Sequence, residues 1–260
     1  MWKQQLLGAA LWSIGQSGIA HAMRPWWGGQ GVIFCLHHVC PGGGLQTGFA
    51  PNSNLEITPD FLATIIALVQ EMGYDLVSLD EALTRIAGPS RPFAVFTLDD
   101  AYKDNLHHAL PVFRQFNCPF TVYACPDLCD GEGEMWWRGV EAMIAGNVRL
   151  ALELEGQGLA IDCSTEAAKW QAWHKLAPMV RALPEEQQRV WLRHAAHQSG
   201  VDLKAQCRSA VMDWHELYQL ASDPLATIGA HTNGHFNLLK LPEQQAEHEI
   251  RSSGTRLAAE

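Results

Sequence analysis

Strand-like and helix-like segments alternate through the first half of the chain, and that alternation restricts the fold more than any composition value does. Apolar runs near 31–37, 75–78, 93–98 and 119–124 are separated by amphipathic stretches near 59–72 and 104–116. Strands joined by helical crossovers run parallel, so the chain is expected to be α/β, with a parallel sheet either wound open or closed into a barrel. The helix over 59–72 carries its own punctuation, because Pro59 follows Thr58 at the first helical position and Gly73 ends it. Phe61, Ile65, Leu68 and Val69 are predicted to form the stripe that packs on the sheet.

From about 138 to 222 the pattern changes. Helices are predicted over 166–182, from Pro184 to about 198, and over 213–221, which makes this stretch a helical insertion between strands. Trp170, Trp173, Leu176 and Val180 fall at helical spacing and are expected to be its core rather than a ligand groove, although such a cap can still shape access. Gly28-Gly29 and Gly42-Gly43-Gly44 are loop glycines and not a phosphate loop, since no Lys-Ser/Thr follows. With 260 residues, 47% of them hydrophobic, one large domain over 30–260 is expected behind an N-terminal helix within 1–29.

Two of the apolar runs end abruptly in groups that carry chemistry. Phe93 to Phe96 leads through Thr97-Leu98 into Asp99-Asp100, and Ala226 to Ala230 leads into His231-Thr232-Asn233-Gly234-His235. Polar groups at the ends of buried strands border a site and not the core. A catalytic metal site needs about three histidine or carboxylate ligands and an open position where water is made acidic. Asp100, His231 and His235 meet that count, and histidines four apart can aim both imidazoles the same way. Neighbours on extended chain face opposite sides, so one aspartate can ligate while the other does something else, such as taking a proton as a general base. Taken singly, adjacent aspartates are often a loop or helix cap, and a histidine pair at this spacing is more often surface or core. Their conjunction at two strand ends points to metal-assisted hydrolysis.

At these residues the chain resembles the polysaccharide deacetylase family, the carbohydrate esterases that share the NodB homology domain. The family's Thr-Phe-Asp-Asp-Gly stands here as Thr97-Leu98-Asp99-Asp100-Ala101, and its His-Ser/Thr-x-x-His as His231-Thr232-Asn233-Gly234-His235. Ile33 to Val39 resembles the family's first strand, and Ile57 through Glu81 its first helix and second strand. Met135-Trp136-Trp137 resembles a loop after its third strand, and Met212 to Leu217 a helix ahead of the histidine motif. The resemblance spans roughly residues 30 to 260. It implies a distorted (β/α) barrel with a helical insertion, Asp99 as catalytic base, and Asp100, His231 and His235 as ligands of a divalent metal. Zinc comes first, with cobalt, nickel, manganese or iron as alternatives. The implied reaction removes N- or O-linked acetyl groups from a bacterial polysaccharide or its sugar precursor, with Tyr102, Trp136 and Trp137 contacting the sugar. A binding or regulatory protein that keeps the fold without turnover, and a hydrolase of a non-sugar C–N bond, are the alternatives. Leu98 and Ala101 depart from the family's Phe and Gly, and Ala101 puts a methyl group where backbone approaches closely. The family's Arg-x-Pro-Tyr-Gly-like, tryptophan and Leu-x-His segments have no counterpart in these residues, so the domain is expected to be incomplete at its C-terminal side. The general acid and oxyanion donor therefore have no assigned residue. His37 and His38 are candidates, although a loop role suits them better.

A net charge of −10 excludes the clustered basic surface that nucleic-acid binding requires, and is compatible with a neutral glycan. Seven cysteines without Cys-x-x-Cys spacing form neither a disulfide framework nor a zinc finger, which favours the cytoplasm. Against that, Lys3, the apolar stretch Leu6 to Ile14 and Ala20-His21-Ala22 resemble a secretory leader and leave periplasmic or membrane-associated alternatives. Ser13, Gln16 and Ser17 break the apolar stretch, so a peripheral, membrane-touching helix is preferred. No run reaches the ~18 apolar residues of a membrane span.

Overall fold

The computed structural model describes residues 8–9, 12–15, 17–18, 29–44, 48–88, 90–154 and 156–260. Residues 8–9 and 12–15 are helical and exposed, while Lys3, Leu6 and Ala20-His21-Ala22 lie outside the described residues. No helix among the described residues is long and apolar enough to cross a membrane.

In chain order the strands are β1 (Gly31–Leu36), β2 (His38–Val39), β3 (Glu56–Ile57), β4 (Asp75–Leu76), β5 (Phe93–Leu98), β6 (Phe120–Ala124), β7 (Arg149–Leu154), β8 (Gln157–Asp162) and β9 (Ala226–Ala230). The helices are α1 (Pro59–Glu71), α2 (Leu79–Ile86), α3 (Leu110–Gln115), α4 (Pro126–Cys129), α5 (Trp136–Gly146), α6 (Glu166–Ala182), α7 (Glu185–Gln198), α8 (Leu203–Ala210), α9 (Trp214–Ala221) and α10 (Glu243–Ala259). The main sheet is parallel, in the order β1-β5-β6-β9, with β4 also paired to β5. No ladder joins β1 to β9 among the described residues, so a closed barrel is not seen.

β5 is buried at all six positions, which is why its sequence reads as an unbroken apolar run. Its register with β1 runs from Gly31↔Phe93 to Leu36↔Leu98. Gly31 is needed there, since a Cβ would lie 2.4 Å from the Phe93 ring. Phe34 stacks on Phe96 at 4.8 Å and Phe113 on Phe120 at 4.2 Å, so aromatic rings fill the layer between the sheet and its helices.

The packing face of α1 differs from the predicted stripe. Leu62, Ile66 and Val69 are buried, whereas Phe61 and Leu68 are each 53% exposed. The helix is apolar enough to contain two overlapping stripes, and the direction of the crossover selects the one turned by a single position. The helix expected over 104–116 begins as a π-helical turn, Asn105–Ala109, before α3. Pro111 has no N–H to donate to a carbonyl four residues back, so the preceding turn cannot continue as regular α-helix.

The insertion is not wholly helical. β7 and β8 form an antiparallel hairpin with Leu150, Leu152 and Leu154 turned inward and Arg149, Ala151 and Glu153 outward. That is a period-two pattern in plain view in the sequence. The hairpin packs with α5, α6 and α7 around a second core that includes Met143, Ile144, Leu176, Val180 and Leu192. Leu176 and Val180 are buried as their spacing predicts, while Trp173 is only partly buried. All seven cysteines are free thiols.

Candidate metal centre and cleft

The parallel sheet places the two motifs at the same end, with β6 between the strands that carry them. Asp99 N–H donates to Leu36 O at 2.9 Å and continues the β1–β5 pairing one step past the strand, after which the chain turns sharply. His231 N–H donates to Ala124 O at 3.0 Å and does the same for β9 against β6. Both turns are strained. Asp100, Ala101, Thr232 and His235 have φ of 69°, 51°, 63° and 56°, and Asn117 is the one other described non-glycine residue in the left-handed region. Such conformations cost free energy and persist only where the surroundings impose them.

The turns bring three donor atoms together. His235 Nε2 lies 3.1 Å and His231 Nε2 3.7 Å from Asp100 Oδ1. Asp100 is 2% exposed, yet its Oδ1 has no hydrogen-bond partner of good geometry. A buried carboxylate oxygen left without a donor between two imidazole nitrogens fits a divalent cation, on which all three lone pairs converge. Burial pushes the Asp100 carboxyl upward, but His235, His231 and His37 outweigh it and hold the group below its ordinary range. Burial, then His235, lowers His231. Burial also works against protonated His235, but Asp100 outweighs it and raises that imidazole.

The loop that carries the histidines is fastened from three sides. Glu249 Oε2, from α10, accepts from both Asn233 N and Gly234 N at 2.9 Å. Asp127 Oδ1 accepts from Asn233 Nδ2 at 2.8 Å and from Arg256 at 2.9 Å. Arg189 of α7 donates to Gly234 O at 2.6 Å with its guanidinium 3.7 Å over the Phe236 ring. Burial lowers the Arg189 pKa, against the pull of Glu134 and Glu185. Nothing local in the sequence marks Glu249 or Arg189, because both reach the loop through tertiary packing.

Asp99 makes its side-chain contacts with β1 and the residue just after it. Its Oδ2 accepts from Cys35 Sγ at 3.3 Å and lies 3.9 Å from His37 Nε2. Burial first, and Asp99 next, push the Cys35 thiol up. His38 is structural, stacked on Tyr102 at 3.5 Å and paired with Asp104 at 2.6 Å.

Asp100 and His235 open into a cleft of about 400 Å³ that is also lined by His37, Asn52, Trp136, Trp137, Trp173 and Arg181. The Trp137 ring lies 4.8 Å from that of His235, and Arg181 sits 5.4 Å over the Trp136 ring. The two adjacent tryptophans line this cleft from the start of α5 rather than from a loop. Trp173 joins them from α6, so it serves the cleft as well as the second core. Tyr102 does not reach the cleft. It is 0% exposed, its ring is covered by His38, and its hydroxyl is raised well above the ordinary phenol value by burial and then by Asp100. The larger hollow near Glu153 and Trp191, about 770 Å³, contains none of the candidate ligands.

No protein-family profile matches the chain, and no curated protein matches it by sequence. Among solved structures it is similar to IcaB from Ammonifex degensii, at 15% identity and TM-score 0.43 over 87% of this chain and 66% of that one. It is similar to a polysaccharide deacetylase from Bacillus cereus at 13% identity and TM-score 0.45, over 87% and 46% of the two chains. It is also similar to a de-N-acetylase from Aggregatibacter actinomycetemcomitans at 13% identity and TM-score 0.39, over 80% and 55%. The chain thus spans between 46% and 66% of the lengths of these proteins.

Proposed function

We propose that this chain is a metal-dependent hydrolase that removes an N- or O-linked acetyl group from a carbohydrate, in the manner of the polysaccharide deacetylases. The observation that carries this reading is the buried Asp100 Oδ1, without a hydrogen-bond partner between two imidazole nitrogens, beside a second carboxylate and a tryptophan-lined cleft. Asp100, His231 and His235 would hold the ion. Two imidazoles and one carboxylate suit zinc and are compatible with cobalt, nickel, manganese or iron. When bound, such an ion supplies Lewis-acid polarisation of an acyl carbonyl and lowers the pKa of water.

Asp99 Oδ2 accepts the proton of the water that adds to the acetyl carbon. The acetyl C–N or C–O bond then breaks, acetate leaves, and the departing amine or alcohol takes up one proton. Trp136, Trp137 and Trp173 offer ring faces to a sugar, and Arg181 offers donors to its hydroxyls.

The test is Asp99→Asn. The variant is expected to keep the divalent ion of the Asp100–His231–His235 centre, by calorimetry, while acetate release from acetylated glucosamine oligomers falls by about 10²–10⁴-fold. Equal release by parent and variant, or none by the parent at any metal loading, defeats the enzymatic reading and leaves a carbohydrate-binding protein.

A further inference from the structure

We infer that Cys35, His37 and Asp99 form a second, thiolate-containing site for a zinc-like divalent cation, separate from the Asp100–His231–His235 centre, and that an ion bound there withdraws Asp99 from proton transfer. The inhibitory consequence rests on Asp99 being the base proposed above; the binding site itself does not.

The β1–β5 register builds the cluster. Cys35 and His37 are two residues apart, so on extended chain they face the same side. Leu36 is level with Leu98, so one step further puts His37 level with Asp99. The result is one sulfur, one imidazole nitrogen and one carboxylate oxygen, all within 4.8 Å of one another. Tetrahedral zinc with bonds of about 2.0–2.3 Å holds its ligand atoms roughly 3.4–3.6 Å apart. The observed separations, 3.3 Å for sulfur to oxygen and 3.9 Å for nitrogen to oxygen, bracket that value. An ion could therefore enter with shifts of a few tenths of an ångström, displacing the thiol proton to solvent. Thiolate and carboxylate together neutralise its two charges. Cys35 is exposed, which leaves a way in and room for water in the fourth position.

The two sites differ in donor chemistry, since the Asp100 centre contains no sulfur, and cobalt reports that difference. Metal-freed protein titrated with cobalt(II) is expected to take up two ions. One gives only visible ligand-field bands, and the other adds a near-ultraviolet sulfur-to-cobalt band. Cys35→Ser should lose the near-ultraviolet band and one ion while keeping the other; Asp100→Ala should keep the band and lose the sulfur-free ion. Zinc beyond one equivalent should depress acetate release in the parent several-fold, and should not do so in Cys35→Ser relative to that variant's own rate at one equivalent. One sulfur-free ion and no near-ultraviolet band in the parent overturns this inference and leaves the proposed hydrolase standing. A band that survives Cys35→Ser overturns it as well, because another cysteine would then be the ligand. Absence of any bound ion defeats both.

Discussion

The sheet body and the unit running from α5 through α9 border the same cleft by different physical means. The sheet contributes charged groups at strand ends, each fixed by a backbone ladder and then forced through a left-handed turn: Asp99 and Asp100 after β5, and His231 to His235 after β9. The insertion contributes ring faces and long side chains from helices: Trp136 and Trp137 from α5, Trp173 and Arg181 from α6, and Arg189 from α7. A ladder fixes position to fractions of an ångström, which ligation and proton transfer need. Stacking on a sugar tolerates more, and helices projecting side chains into a groove are sufficient for it. Under the proposed hydrolase reading the sheet supplies the chemistry and the insertion the grip, with Arg189 as the point where the second reaches into the first.

The largest effect is therefore expected from Asp100→Ala. It removes the only carboxylate in the three-donor centre, and calorimetry should find no ion at that centre and acetate release should fall to background. Retention of full metal affinity would break the comparison at its root. Next comes Arg189→Met, which keeps the apolar contact with Phe236 but removes the bond to Gly234 O. Groups that hold ligands in place typically account for about 10–100-fold in metal affinity, and a loss of that size with the fold intact by circular dichroism is expected. An unchanged affinity would mean that Glu249 and Asp127 hold the loop by themselves. Smaller again is Trp173→Ala, which takes one ring face from the cleft. Loss of roughly 1.5 kcal/mol of apolar contact should raise KM for a glycan about tenfold and leave kcat nearly unchanged. A fall in kcat instead would place this tryptophan's influence on the chemistry and blur the division between the two regions.

How much of this was legible in the sequence depends on whether the cause was local. β5 falls at its expected bounds because burial on both faces and a terminal pair of acids are properties of consecutive residues. α6 ends at Ala182 and α7 begins at Glu185, around Pro184, for the same kind of reason. The face of α1 was only partly legible: of the expected Phe61, Ile65, Leu68 and Val69, Val69 is buried and Ile65 packs on the core, but Leu62 and Ile66 take the places of Phe61 and Leu68, a choice made only when the crossover is built. The β7–β8 hairpin was legible by its alternation but was masked by the helical stretches around it. At the site, the donors that converge on Asp100 stood in two short motifs. Cys35 could be matched with Asp99 only through the β1–β5 register, and Tyr102, one residue beyond the turn, is fully buried beneath His38.

Ala101 gives the smallest expected effect and the sharpest measure of how much strain the sheet end stores. A left-handed conformation costs a residue with a Cβ about 1–2 kcal/mol, which glycine does not bear. Ala101→Gly relieves that cost, but it removes a fully buried methyl group worth about 0.8 kcal/mol and adds about 0.4–1 kcal/mol of freedom to the unfolded chain. The opposing contributions are of equal size, so unfolding by urea should shift by less than about 1 kcal/mol in either direction. Stabilisation beyond that would show that the turn carrying Asp100 is held by force and that the core around Ala101 gains little from its methyl. Destabilisation beyond it would show the reverse: packing beneath the turn, with Met212 N–H donating to Ala101 O and Val211 bridged to Tyr102, imposes the geometry on Asp100. The strand end would then owe its shape to the region just after the insertion's α8, and the boundary between the two halves of the cleft would have to be redrawn to include it.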